Sequence, residues 1–191
     1  MPQPSIGDFD RTLSPSVLED RAARGASALV ALGCGEDQSV ALILRNDLTQ
    51  LEIMRAGAKA GTVLVALNWH GATEEVAAIC EDSEAHTVII HRDLIDALRP
   101  ALEGRRVIGV TPDSALRSAY AITDIAASTE PDFPEWNDLV AAHEPLQPTA
   151  LMRPLRRYTS GSTGRPKGIR RVASGQRGDF TDALKPIGTE M

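Results

Sequence analysis

Cysteine is scarce in this sequence and poorly spaced for metal or redox work. Its two cysteines, Cys34 and Cys80, form no CxxC pair, and His70, His86, His91 and His143 fall into no ligand pattern. Neither a disulfide framework nor a metal site is indicated, and the thiols are expected in the core. Aromatic residues make up only 4% of the chain. Tyr158 alone lies between Leu151 and Gly178, in the one basic stretch of an acidic protein. That disfavours nucleic acid as a partner, because the rest of the surface would repel a phosphate backbone. No run approaches the roughly 18 apolar residues of a membrane span. The opening "MPQPSIGDFD" lacks the basic start and apolar stretch of a secretory signal, so the expected location is cytoplasmic.

What the chain does have is enough apolar residue for a sizeable core: 42% of its 191 residues are hydrophobic and 24% charged, the balance of a soluble globular domain or of one lobe of a larger one. Net charge is -6, unevenly distributed. From Leu151 to Gly178 stand Arg153, Arg156, Arg157, Arg165, Lys167, Arg170, Arg171 and Arg177 with no acidic residue, leaving 12 basic residues against all 26 acidic ones elsewhere. A local excess of this kind suits an anionic ligand, although a solvated basic tail would look the same.

Periodicity predicts an alternation of helices and strands. "SPSVLEDRAARGASALVALG" offers Ser14 as a cap, Pro15 at the first helical position, a Ser16 to Glu19 capping-box pair and Gly33 as a stop. "SVALILRN" (39 to 46) is a nearly continuous apolar run, as in a strand buried on both faces. Leu48, Leu51, Met54 and Ala58 then recur at helical spacing between Asp47 and Gly61, and "TVLVALN" (62 to 68) returns to strand. A helix over 72 to 83, a strand over 87 to 91, a helix over 92 to 102 and a strand over 105 to 110 continue the pattern. It predicts an α/β fold, a layered and mostly parallel sheet with helices on both faces. Beyond Thr111 the pattern loosens, with a helical turn within 113 to 127, a proline-punctuated loop at "PDFPEW" and one short helix in "EWNDLVAAHE".

The stretch "YTSGSTGRPKG", Tyr158 to Gly168, carries three glycines, four Ser and Thr hydroxyls from Thr159 to Thr163 and a lysine. Successive N–H groups of a glycine-rich loop can converge on an oxyanion, since missing Cβ atoms permit close approach and positive φ, while hydroxyls add donors. Lys167 adds a point charge and Pro166 stiffens the chain beside it. It is not a Walker A motif, which needs Lys followed by Ser or Thr; here Lys167 follows Pro166 and precedes Gly168. A glycine-serine linker is the plain alternative.

These eleven residues resemble the phosphate-binding signature of the adenylate-forming (AMP-binding) superfamily, Tyr-Thr-Ser-Gly-(Ser/Thr)-Thr-Gly-x-Pro-Lys-Gly, and satisfy every position of it. Upstream, "ALGCGEDQSVALILRND" and "AGAKAGTVLVALNWHGATEEVAAICEDSEAHTVII" are similar to acyl-CoA synthetases, and "LNWH" with Glu74, Glu75 and "EDS" to the fatty-acyl members among them. Trp69 and His70 themselves are expected to be packing or loop residues. The likeness runs from about Val17 to Gly168 and is specific only in the glycine-rich stretch.

The resemblance implies a two-step ligation in which a carboxylate, fatty or related, attacks the α-phosphate of ATP to give an acyl-adenylate and pyrophosphate. A thiol, that of coenzyme A, then takes the acyl group, with magnesium bridging the phosphates. It also implies that Thr159, Ser160, Gly161, Ser162, Thr163, Gly164 and Lys167 contact or shape the pyrophosphate portion, charge stabilisation being the main demand of such chemistry. The family's adenine-stacking segment, its Tyr-Gly-x-Thr-Glu stretch, its ribose-binding aspartate and the lysine of its mobile C-terminal domain lie downstream of this loop and outside these 191 residues. A site whose parts must be held to within about half an ångström is then incomplete, and the isolated chain is expected not to turn over.

The implied division is an α/β subdomain over 1–150, a phosphate-binding segment over 151–171 and a poorly ordered tail over 172–191, with Phe180 and Leu184 at most in a short docking turn. An uncovered core face would favour self-association. Two other readings stay open, a non-catalytic nucleotide-binding module that docks on a full-length relative and an unrelated enzyme using the basic segment. One local feature departs from the family: "LMRPLRRYTS" sets three arginines beside Pro154, which argues against a central buried strand.

Overall fold

The computed structural model describes residues 5–8, 11–123, 133–147, 151–159 and 167–169, the last three and Thr159 by their backbone. The predicted tail, and with it Phe180 and Leu184, lies outside the described residues. The chain opens with a hairpin that the sequence pattern did not signal, β1 (Ile6–Asp8) against β2 (Arg11–Leu13). It then alternates as expected: α1 (Pro15–Ala31), β3 (Ser39–Ile43), α2 (Leu48–Ala60), β4 (Val63–Ala66), α3 (Thr73–Asp82), β5 (Thr87–His91), a 3-10 turn at Arg92–Leu94, α4 (Ile95–Leu102) and β6 (Arg106–Val110). Two short helices, α5 (Ser114–Ala119) and α6 (Trp136–Ala142), precede a second hairpin, β7 (Arg156–Thr159) and β8 (Lys167–Ile169).

Five parallel strands in the order β6-β5-β3-β4-β7 form the sheet, and β8 adds an antiparallel edge. Alternation along the strands divides the core. Val40 and Leu42 of β3 with Ile89 and Ile108 face Leu29 of α1, Ile53 of α2 and Trp136 of α6. Ala41, Ile43, Val88 and Ile90 face Val76, Ile79 and Cys80 of α3 and Ile95 and Leu98 of α4. Strands buried on both faces have no polar side, which is why they appear as unbroken apolar runs in the sequence.

Local chemistry sets the boundaries. The Ser14 hydroxyl accepts the Val17 N–H at 3.3 Å with Pro15 at the first helical position, and Gly33 follows the helix at φ 74°, a conformation open to glycine at little cost. The predicted pairing of Ser16 with Glu19 does not form. Glu19 instead accepts Arg55 Nε at 2.5 Å and lies 2.8 Å from Lys59 Nζ. Packing of α1 on α2 buries both cations, and a buried cation without a carboxylate is far costlier than an uncapped N–H. Asp47 caps α2 by accepting the Gln50 N–H at 2.7 Å.

The arginine-rich approach to the loop does form a strand, though not the fully buried one its arginines argue against. β7 pairs with β4 on one side and β8 on the other, yet Arg156 and Tyr158 are only half-buried and Arg157 is exposed. The arginines are tolerated because β7 meets β4 over just two residue pairs, Val65 with Arg156 and Ala66 with Arg157. Pro154 lies before the strand and costs the ladder no bond.

Candidate phosphate-binding loop

In an open parallel sheet, ligands bind beyond the carboxyl ends of the strands. Beyond the end of β7 runs the glycine-rich stretch. Tyr158 pairs with Gly168 and Thr159 with Lys167, so the first and last of the seven predicted site residues occupy opposed positions of one antiparallel ladder. Ser160, Gly161, Ser162, Thr163 and Gly164, which the sequence places between them, lie outside the described residues.

Three side chains of the approaching segment reach back to turns of the α/β unit. Arg153 donates through Nε to Asp37 at 2.6 Å and through a terminal nitrogen to Glu36 at 3.3 Å. Arg156 reaches the carbonyl of Ser83 at 3.5 Å, and the Tyr158 hydroxyl donates to Asp82 Oδ2 at 2.5 Å. Partial burial, and then the hydrogen bond to the Asp82 carboxylate, push the Tyr158 phenol above its ordinary pKa. The local excess of positive charge is therefore partly consumed by the protein's own acids: Arg153 already has two carboxylate partners.

A second polar cluster, which the sequence did not signal as one, lies just past β3, β4 and β5. Arg45, 4% exposed, makes a bidentate pair with Asp93 at 3.0 and 2.7 Å, and its guanidinium lies 4.5 Å from the Trp69 ring centroid and 5.1 Å from that of Tyr120. The fork geometry and the aromatic faces together offset the desolvation of the pair. Half-buried Trp69 and exposed His70 lie against each other here, tilted by 34° with centroids 3.3 Å apart. Fully buried His91 accepts the Arg45 backbone N–H at Nδ1, 3.1 Å away. That bond requires the neutral ring's proton to sit on Nε2, which faces Asp47 Oδ2 at 3.3 Å. With both nitrogens engaged and no solvent access, His91 has no site left for general-base work, and the Asp47–His91 pair joins β5 to the start of α2.

A family model described as "AMP-binding enzyme" matches residues 3–171. The chain belongs to the AMP-binding enzyme family. Within that family it is 30% identical over 166 residues to the fatty acid–[acyl-carrier-protein] ligase ScoC of Streptomyces coeruleorubidus, covering 87% of this chain and 29% of the relative. It is 29% identical over 185 residues to the 4-hydroxybenzoate–CoA/benzoate–CoA ligase of Rhodopseudomonas palustris, covering 95% and 32% respectively. The crystal structure of ATP-bound MatB from Rhodopseudomonas palustris superposes with a TM-score of 0.65 at 22% identity, over 87% of this chain and 31% of that one. The fold is thus that of AMP-binding enzymes, and the chain spans about three tenths of the length of the relatives it matches. No helix of the described residues is long and apolar enough to cross a membrane.

Proposed function

We propose that this chain is a phosphate-binding part, from the N-terminal region, of an ATP-dependent ligase that activates a carboxylic acid of the fatty-acyl or aryl class as its adenylate and passes it to coenzyme A. The observation that carries the reading is the closed ladder at Thr159 and Lys167, which bounds a stretch matching the family signature at every position. In this reading 1–150 is the α/β scaffold and 151–171 the segment that holds the phosphates. Thr159, Ser160, Ser162 and Thr163 supply hydroxyl donors to the pyrophosphate portion of ATP. Gly161 and Gly164 let backbone N–H groups approach it, and Lys167 neutralises its charge.

Hydroxyls that can donate, backbone amides and one ammonium together suit the many acceptor oxygens and the negative charge of a polyphosphate. Among the described residues no three His, Cys, Asp or Glu side chains are grouped together. Magnesium, which is commonly held through substrate phosphates with few protein ligands, would come with the nucleotide. The reading places the acyl pocket and most of the coenzyme A site outside this chain, so the chain binds but does not ligate.

Titration of the 191-residue chain with pyrophosphate by calorimetry tests this. Binding is expected, with loss of about tenfold or more in Lys167→Ala. Equal affinity in that variant would remove the lysine from the site, and acyl-dependent exchange of pyrophosphate into ATP by the chain alone would overturn its incompleteness.

A further inference from the structure

The hairpin that bounds the loop is weakly held by backbone alone. β7 has two residue pairs with β4, ending at Ala66 and Arg157, so Tyr158 and Thr159 lie beyond that ladder. Their other neighbour, β8, is the far arm of the same hairpin and cannot fix its orientation. What fastens this part of β7 to the α/β unit is its side chains: Arg156 to the Ser83 carbonyl, and Tyr158, whose ring packs on the core beneath α3 and α4 while its hydroxyl meets Asp82 at 2.5 Å.

Asp82 is in turn an awkward residue for its own helix. It is the last residue of α3, where the helix dipole is negative, and the last turn contains no basic residue to offset it. A carboxylate that breaks a local rule calls for a compensating partner, and among its hydrogen bonds the partner is the Tyr158 phenol.

We propose that Asp82 is a positioning residue for the phosphate-binding loop: its carboxylate holds the Tyr158 hydroxyl and so sets the strand that ends in Thr159 and pairs with Lys167. The inference rests on the phosphate-binding reading above. It makes the loop's affinity depend on a residue far from the motif in sequence, one that never touches the ligand.

Three measurements on the full 191-residue chain test it. Hydrogen exchange reads the hairpin directly: Asp82→Ala is expected to speed exchange of the β7 and β8 amides while leaving those of β3 and β5 unchanged. Calorimetry with inorganic pyrophosphate should show Asp82→Ala and Tyr158→Phe each weakening binding by about two- to fivefold, as suits an exposed carboxylate, with the double variant no worse than either. The chain has two tyrosines, so in a Tyr120→Phe background the tyrosinate absorbance reports Tyr158 alone, and Asp82→Asn should lower its titration midpoint toward the ordinary value. Asp82 is solvent-exposed, so these variants are expected to fold.

Unchanged hairpin exchange in Asp82→Ala, or additive losses in the double variant, would overturn the proposal. A wild-type chain that ignores pyrophosphate while Asp82→Ala still loosens the hairpin would sink the phosphate-binding reading and leave the hold of Asp82 on the hairpin standing.

Discussion

The indole Nε1–H of Trp136 donates to Oε1 of Glu52 across 2.7 Å, joining α6 to α2 through a carboxylate with no exposure to solvent. The same carboxylate accepts Arg21 Nε of α1 at 2.5 Å. Three helices on one face of the sheet thus meet at one buried anion. Glu52→Ala leaves the buried indole N–H without its acceptor and takes the carboxylate from Arg21, which keeps its bond to Asn137 at 2.7 Å, and is expected to cost about 3 kcal/mol. Trp136→Phe, which leaves the ion pair intact, should cost about 1–2 kcal/mol less than that. Urea unfolding of the two variants gives both numbers, and the reverse order would show that packing rather than the charge network governs this junction.

Gly25 in α1 sits under the same ring. A Cβ there would lie 2.6 Å from Trp136 Cζ2 and 2.9 Å from Cη2, and the indole is held in place by its bond to Glu52. Gly25→Ala is therefore expected to destabilise by about 1–3 kcal/mol even though alanine is the better helix former. In a Trp136→Phe background, which removes the clashing atoms, the penalty should largely vanish. A penalty unchanged in that background would exclude the clash as its cause.

At Gly33 the space around a Cβ is open, but φ is 74°. Gly33→Ala should cost about 1–2 kcal/mol through backbone strain alone. Gly33→Asn should cost less, since asparagine tolerates this region better. Thermal unfolding of the two variants separates conformational from packing cost.

Cys80 is 1% exposed, and burial raises its thiol pKa against a smaller opposing effect of Arg105. The folded protein thus favours the protonated thiol. Its contribution to stability is fully present below the unfolded thiol's pKa and is lost as pH rises through the higher folded value. Stability should slope downward above about pH 8.5, and Cys80→Ala should flatten the part of that slope due to the thiol. Denaturant midpoints across this range decide it, and an identical slope in the variant would assign the effect elsewhere.

The parts of the fold that were legible in the sequence are those where one physical demand dominates. Strands β3, β5 and β6 are covered on both faces, so Val40 to Leu44 and Val88 to Ile90 carry no polar side chain and could hardly be anything else. The glycine-rich stretch was legible as a family signature because its eleven residues match in type and in fixed order, and the family model reaches across it to residue 171. What escaped was tertiary. Glu52 looks like a surface residue of an amphipathic helix until α1 and α6 close over it. The β1–β2 hairpin is too short to show a period, although Asp8 caps the Leu48 N–H of α2. The Arg156–Thr159 strand was disguised by its arginines, because its place is set by a backbone ladder and by Asp82 and Ser83, distant in sequence, rather than by its own hydropathy.

The strand order has a bearing on how the protein is born. β3, β4, β5 and β6 are joined in succession by short crossovers, so that unit can assemble while the rest of the chain is still emerging from the ribosome. β7 finds its partner only after the chain has travelled from Ala66 to Arg157, and a pairing so remote in sequence pays its loop-closure entropy late. The β7–β8 hairpin therefore arrives after that unit, and until it docks, β4 stands as an open edge, able to pair with the wrong neighbour.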